Sequence, residues 1–458
     1  MSIRMLSLLL TGLLTLAADA RQDWSRFTQP PAAVDLALPA PSAGATLIPI
    51  DTPRGQLTLA LHPHSLRAPE ARGWIDAGGP DLQEFELPPE ATYAGTVVEW
   101  PGSIVAAAVV ASGLRVVIDP ATPGEELCYL QPAADFGGLQ GHVFYSASQV
   151  LPGRWVCGGA LQAPATGGSP YSPRVCSTVA QIAFDADYAM YAGNGFSVAS
   201  TVADIESIMI AVDLIYGRDV GIEHQSTGYV VRTTDPDGYT TTSPGGLLDQ
   251  FRIRWGASHG GIPRDMAHLM TGRELDGNVI GVAWVNVICN SGYGYGLSQA
   301  LFTTDLAYRA ALVTHEMGHN WSAGHCDGGA DCSIMCSGIG GCANNVSLLS
   351  SRSVTEITNA RNAASCLSTG MAVAHADGVV LLPGQSVRVD VMGNDSAAVC
   401  GDFTLLSFNT TMPLGGSISR SVGTGPLGRD ELIVQAGATA GETQFNYVIR
   451  NSGGLSAT

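Results

Sequence analysis

The 458 residues read as a multidomain chain: a β-rich N-terminal unit, an α/β central domain of mixed sheet plus helices, and an all-β C-terminal sandwich. Three observations carry this reading. The length suits roughly two to four domains. Before residue 163 the apolar runs are short and bounded by Gly and Pro turns, as antiparallel strands are. From 174 to 367 strand-like runs alternate with stretches apolar at helical spacing, and beyond 372 the alternation has period two.

The chain opens with Arg4, an apolar run from Met5 to Ala17, and Ala18-Asp19-Ala20, which predicts a secretory signal peptide over 1–20. That run is too short to span a bilayer, and no later stretch reaches the ~20 apolar residues required. A secreted, extracellular protein without a membrane span is expected. Net charge is -18 and all 22 basic residues are arginine, so the acidic balance argues against a nucleic-acid or anionic-membrane partner. The Ala/Gly-rich, lysine-free composition points to a GC-rich bacterial genome.

Residues 21–170 form the N-terminal unit. Its Pro/Ala-rich start is expected to be poorly ordered, and Thr96–Trp100, Ile104–Val110 and Leu114–Ile118 read as strands. The Pro/Gly/Ser-rich segment Ala163 to Pro173 is the boundary. The central domain, 174–367, begins with a strand in "CSTVAQIAFDAD", followed by a helix over Thr201–Tyr216 and a strand in "GYVVRTT". A helix in "GGLLDQFRIRWGAS" and an apolar strand within 278–289 come next. Asp305 to Asn320 is a helix with Thr303 or Thr304 as N-cap and Asp305 in its first turn. Ser353 to Leu367 is the last helix, ending at Cys366. In 372–458, Val387, Val389 and Val391 mark one half-buried strand and "ETQFNYVIRNSGG" another.

The chemistry concentrates in His315-Glu316-Met317-Gly318-His319-Asn320-Trp321-Ser322-Ala323-Gly324-His325. Two histidines four apart on a helix differ by ~400° and ~6 Å, so both project from one face. That spacing suits two imidazole ligands on one zinc ion. Glu316 can reach an activated water from the same side and act as its base. His325, six residues past His319, would lie ~240° round a continuing helix. It joins the site only if the chain reverses, at Gly324, Asn320 or a strained Ser322.

HExxH with a third histidine at this distance resembles the metzincin zinc proteases, and "HEMGHN" is similar to their reprolysin (adamalysin, ADAM-type) branch. The resemblance covers about 174–367 and implies a zinc endopeptidase fold. It implies zinc on His315, His319 and His325, with Glu316 as base. It also implies Met335, in "CSIMC", as the methionine turn beneath the metal. Two departures touch the turn: Ser322 replaces the usual glycine, and Cys326 displaces the usual aspartate to Asp327. The stretch "YAGTVVEWPGSIVAAAVVASGLRVVI" resembles a reprolysin propeptide, which would make 21–170 the propeptide of a zymogen. Cys157 could then occupy the fourth zinc position, the alternative being a disulfide with Cys128.

The family pairs extended substrate with the strand matching Val279–Val285, and can bind calcium through the residue matching Asp265. A helix cap is the alternative for Asp265. By resemblance Cys289 pairs with Cys366, and the four cysteines between 326 and 342 form two local bridges; a structural zinc on those four is the alternative. Cys176 is left with Cys400 or a propeptide cysteine. The last segment resembles cadherin-like or immunoglobulin-like modules with an extracellular ligand or spacer role. Such a strand would continue past Thr458, so either a fragment or an incomplete module is expected.

The expected function is a secreted zinc-dependent endopeptidase acting on protein or peptide substrates, made as a zymogen. Two rivals stand beside it. One keeps the enzyme but takes Glu356 as third ligand. The other is a non-catalytic surface adhesion or binding protein retaining the domain.

Overall fold

The computed structural model describes residues 24–36, 46–79, 81–122, 125–138, 140–164, 178–327, 332–340, 345–367, 374, 377, 379–392, 395, 403–425, 429–441, 443–451 and 456–457. The expected signal peptide, most of the 163–173 linker, Cys176, Cys342 and Cys400 lie outside the described residues.

The N-terminal region holds β1 (Ala32–Val34), β2 (Thr46–Thr52), β3 (Gly55–Pro63), β4 (Arg67–Asp76), β5 (Gln83–Phe85) and β6 (Thr92–Val97). β7 (Ile104–Val110), β8 (Gly113–Asp119), β9 (Cys128–Pro132), β10 (His142–Ser146) and β11 (Val156–Gln162) follow. Eight of these strands form one antiparallel sheet in the order β1-β10-β9-β8-β7-β6-β3-β2. Period-two alternation splits its side chains between two cores. Val116 and Ile118 pack with Leu59 and Val105 on one face, while Val117 and Tyr129 face the central domain's helices.

The central domain comprises β12 (Thr178–Ala186), α1 (Tyr188–Gly193), α2 (Val198–Val220), β13 (Ile222–Arg232) and α3 (Pro244–Ser258). It continues with β14 (Met266–Thr271), β15 (Val279–Val285), β16 (Tyr295–Gln299), α4 (Leu306–Asn320) and α5 (Ser351–Ala363). Its strands join in the order β15-β16-β14-β12-β13, parallel except where β15 runs antiparallel to β16. Alternation again sorts the core: Val230, Ala267 and Val282 pack with α3, whereas Tyr229, Val231 and Met270 pack with α2 and α4. α2 starts at Ser197, whose side chain accepts the Ser200 N–H, and stops at Gly221 in the left-handed region. It is buried on all faces, which marks a helix enclosed by more than one layer.

The second layer is the N-terminal region, whose strands also join the central sheet. β4 pairs in parallel with β13, β5 pairs with β4, and β11 pairs in parallel with β15. The sheet is therefore β11-β15-β16-β14-β12-β13-β4-β5, extended at both edges by residues that precede the linker. The edge strand expected to receive substrate is covered by β11.

Four smaller expectations also change. Asp305 is the N-cap of α4, accepting the Tyr308 N–H at 2.9 Å, and is not in the first turn; Thr303 accepts the Asp305 N–H instead. α5 ends at Ala363, so Cys366 lies beyond it. β6 stops at Val97, and Trp100 belongs to the turn that follows. Asp265 caps no helix: it precedes β14 and accepts the Gln181 N–H at 2.8 Å.

Cys289 and Cys366 form a disulfide between the loop after β15 and the segment after α5. Cys326 is bonded to Cys336, and Cys332 is disulfide-bonded too, which leaves no thiolate for a structural zinc among the described cysteines of that group. Cys128 and Cys157 are both free, so the disulfide alternative for that pair falls.

In the C-terminal segment β17 (Ser386–Val389), β20 (Glu431–Gln435) and β19 (Ser417–Ser421) form one antiparallel sheet; β18 (Phe403–Phe408), β21 (Tyr447–Asn451) and β22 (Ser456–Ala457) form another. Leu405 and Ile449 share a core with Ile418, Leu432 and Val434. Among the described residues no helix is long and apolar enough to cross a membrane.

Candidate metal centre

α4 carries the centre because its cap and its packing fix it. Asp305 closes the first turn, and every residue from Leu306 to Asn320 is buried. Gly318 faces Met335: a Cβ there would meet the methionine sulfur at 2.5 Å, so a larger residue would push the Met335 side chain from its seat against the helix. Met335 itself is fully buried.

The helix ends after Asn320, where Ala323 N–H donates to the Gly318 carbonyl at 2.8 Å. Ser322 adopts φ 83°, so the reversal falls on a non-glycine residue in the left-handed region. That turn brings His325 back. The Nε2 atoms of His315 and His319 are 3.1 Å apart, those of His319 and His325 3.1 Å, and those of His315 and His325 3.3 Å. Cys157 Sγ lies 3.5 Å from His319 Nε2, and all four ligand atoms gather in one group.

These separations fit a tetrahedral ion. With Zn–N of ~2.0–2.1 Å and Zn–S of ~2.3 Å, tetrahedral edges come to ~3.3 Å between nitrogens and ~3.5 Å between nitrogen and sulfur. The tautomers fit too. His315 Nδ1 is 2.7 Å from the Ile334 carbonyl and His319 Nδ1 is 2.7 Å from the Ala323 carbonyl. A carbonyl only accepts, so both rings carry hydrogen on Nδ1 and present an Nε2 lone pair inward. Burial, and then the neighbouring imidazoles, push His315 well below its ordinary pKa; burial takes His319 down to about 4. Neutral imidazoles are what a metal requires.

Glu316 is fully buried, and burial pushes its carboxyl well above the usual range. The Cys157 thiol donates to its Oε2 at 3.6 Å, while Oε1 has no hydrogen-bond partner. The carboxyl sits against β15, where Gly281 leaves it room: a Cβ there would fall 2.4 Å from Oε1. Sequence reasoning missed Gly281, although a glycine inside an apolar strand signals close approach. Asn320 was also missed as an anchor. Its amide donates to the carbonyls of Trp284 at 2.8 Å and Tyr295 at 3.0 Å, fastening the edge strand to α4.

β11 fills the cleft beside the centre. Val156 N–H donates to Asn278, Cys157 N–H to the Ser337 carbonyl at 2.9 Å, and Ile339 N–H to the Trp155 carbonyl. Residues 155–157 thus lie between the edge strand and the segment after Met335. Gly158 is tight there, since a Cβ would meet Val279 at 2.9 Å.

The other candidates lie elsewhere. Glu356 accepts the Gly324 N–H at 2.9 Å and pairs with Arg352, outside the ligand group. Asp327 accepts the Ser337 N–H at 3.1 Å and stands 3.9 Å from His325 Nδ1. Asp265 gathers only with Cys289 and Cys366, which are bonded to each other, so its surroundings lend calcium no support.

Fold and centre together form a five-stranded mixed sheet completed by a helix bearing two histidines, with a third returned by a turn over a buried methionine. Residues 172–363 match the model Reprolysin_5, metallo-peptidase family M12. The chain is similar to human disintegrin and metalloproteinase domain-containing protein 33, with 26% identity over 344 residues, 70% of this chain and 40% of that protein. It is similar to trimerelysin-2, a snake venom metalloproteinase of Protobothrops flavoviridis, with 38% identity over 63 residues, 14% of this chain and 31% of that protein. It is similar to the zinc metalloproteinase recombinant fibrinogenase II of Deinagkistrodon acutus, with 35% identity over 68 residues, 15% of this chain and 29% of that protein. The alignments span 40% or less of each relative's length.

Proposed function

We propose that the chain is a secreted, zinc-dependent endopeptidase made as a zymogen, with 1–20 as signal peptide, 21–170 as propeptide, 174–367 as catalytic domain and 372–458 as a β-sandwich module. The observation that carries this is the convergence of three Nε2 atoms at tetrahedral spacing, with a thiol 3.5 Å from one of them, beside a buried carboxyl. His315, His319 and His325 hold the zinc. When bound, zinc supplies a Lewis acid for the scissile carbonyl and a water of lowered pKa. Glu316 would serve as the base for the attacking water and as the group that hands a proton to the leaving amine. Asn320 holds β15 in place as the strand on which an extended substrate pairs. Met335 packs beneath the histidines without bond making.

In the precursor Cys157 would supply a fourth ligand, and β11 covers β15. Ordinary buried carboxylates seldom stand unpaired, and the lone Oε1 of Glu316 fits a base awaiting its partner. A retained but inactive binding module has no need of that carboxyl.

The test is cleavage of an unfolded protein by the purified chain after a cut within 165–173 and removal of β11. Activity should vanish with a chelator and return with added zinc. Persistent cleavage in chelator would contradict the proposal.

A further inference from the structure

We propose that the body of the N-terminal unit, β1 to β10, stays bound to the catalytic domain as a second subunit after the chain is cut, and that β11 alone is the removable block. This rests on the reading of the chain as a precursor. Two parts of the N-terminal unit touch the central sheet, and they are built differently.

β4 is built in. Arg72 to Asp76 pair residue by residue with Gly228 to Arg232. Arg67 donates to Glu206 on α2 at 2.6 and 3.1 Å, with both side chains nearly buried. Asp76 accepts from Arg232, a fully buried guanidinium whose other bonds go to Asp185 and the Asp237 carbonyl. The antiparallel sheet adds Arg115, which joins Asp204 on α2 at 2.7 Å, and Asp204 in turn binds Arg309 of α4. Gln131 accepts the Leu306 N–H at 2.8 Å at the start of α4. Losing this body would uncover apolar α2 and leave Glu206 without Arg67 and Arg232 without Asp76. Breaking one side of a buried ion pair is far costlier than any surface contact.

β11 is laid on. Its pairing with β15 is broken by two register shifts, and most of its residues are half-buried or exposed. The link to the body, 151–154, has no regular structure and mostly exposed residues. Cutting there and in the linker would free the strand and leave the body in place.

The experiment uses the full chain with Glu316→Gln, so that nothing cuts itself, and with recognition sites for a site-specific protease at 151–154 and within 165–173. After both cuts, native mass spectrometry and gel filtration at about 1 µM should find the body and the catalytic domain as a 1:1 complex. Separate elution of the two would overturn the proposal. Arg67→Met should raise their dissociation constant about tenfold or more. An unchanged constant would overturn β4 as the docking strand. Neither readout uses activity, so a chain with no protease function would still answer the question.

Discussion

The Cβ that Gly281 lacks would lie 2.4 Å from Oε1 of Glu316. The edge strand and the proposed base are thus fitted to each other at one glycine. Gly281→Ala should displace the carboxylate while leaving the histidines untouched. The expected outcome is a loss of about 10²–10³-fold in kcat/KM, with zinc content unchanged. Initial rates and metal analysis on one sample check it.

Cys157 predicts a ligand. In the uncut chain, zinc-edge X-ray absorption should give three nitrogens at ~2.0–2.1 Å and one sulfur at ~2.3 Å. Cys157→Ala should lose the sulfur and keep the nitrogens. An unchanged sulfur shell in that variant would assign the fourth ligand elsewhere.

Ser322, at φ 83°, pivots the turn that returns His325. Ser322→Gly should keep zinc and leave stability within about 1 kcal/mol, since relieved strain is offset by a freer unfolded chain. Ser322→Val, β-branched at positive φ, should cost about 1–3 kcal/mol and weaken zinc retention. Denaturant melts with zinc titration separate the two.

Asp305 makes stability depend on pH. Burial raises its pKa to about 6 in the fold, against the pull of the Tyr308 N–H. A raised acid pKa means that the folded state holds the proton more tightly. The contribution is therefore full below the unfolded pKa of ~3.9 and lost as pH rises through about 6, a change of roughly 2–3 kcal/mol. Asn caps a helix about as well as Asp and carries no charge. Asp305→Asn should thus gain stability over the parent at pH 7.5 and show little gain at pH 4, as measured by urea unfolding.

The ligand set was legible because helical geometry alone puts His315 and His319 on one face, and a reversal was required for His325. Ser322 was among the residues named for it and is where the chain turns. Strands β12, β13 and β15 were legible from apolar runs, but β14 and β16 were not assigned: β16 holds Gly296 and the polar Ser298 and Gln299, and its identity comes from the partners it lies between. The contribution of β4 and β11 to the catalytic sheet was hidden for the same reason. Parallel pairing between distant segments leaves no local pattern, and Cys157 showed only its chemistry, not its neighbours. Gly281 and Gly318 matter through the atoms they admit, Glu316 and Met335, which lie far off in sequence.

The most direct test of the central claim compares the cut, β11-free chain with its Glu316→Gln variant, counting zinc and cleavage of an unfolded protein together. The account predicts one zinc per chain in both, and cleavage in the parent alone. Equal cleavage by both proteins, or a parent that holds zinc and cleaves nothing, would contradict it.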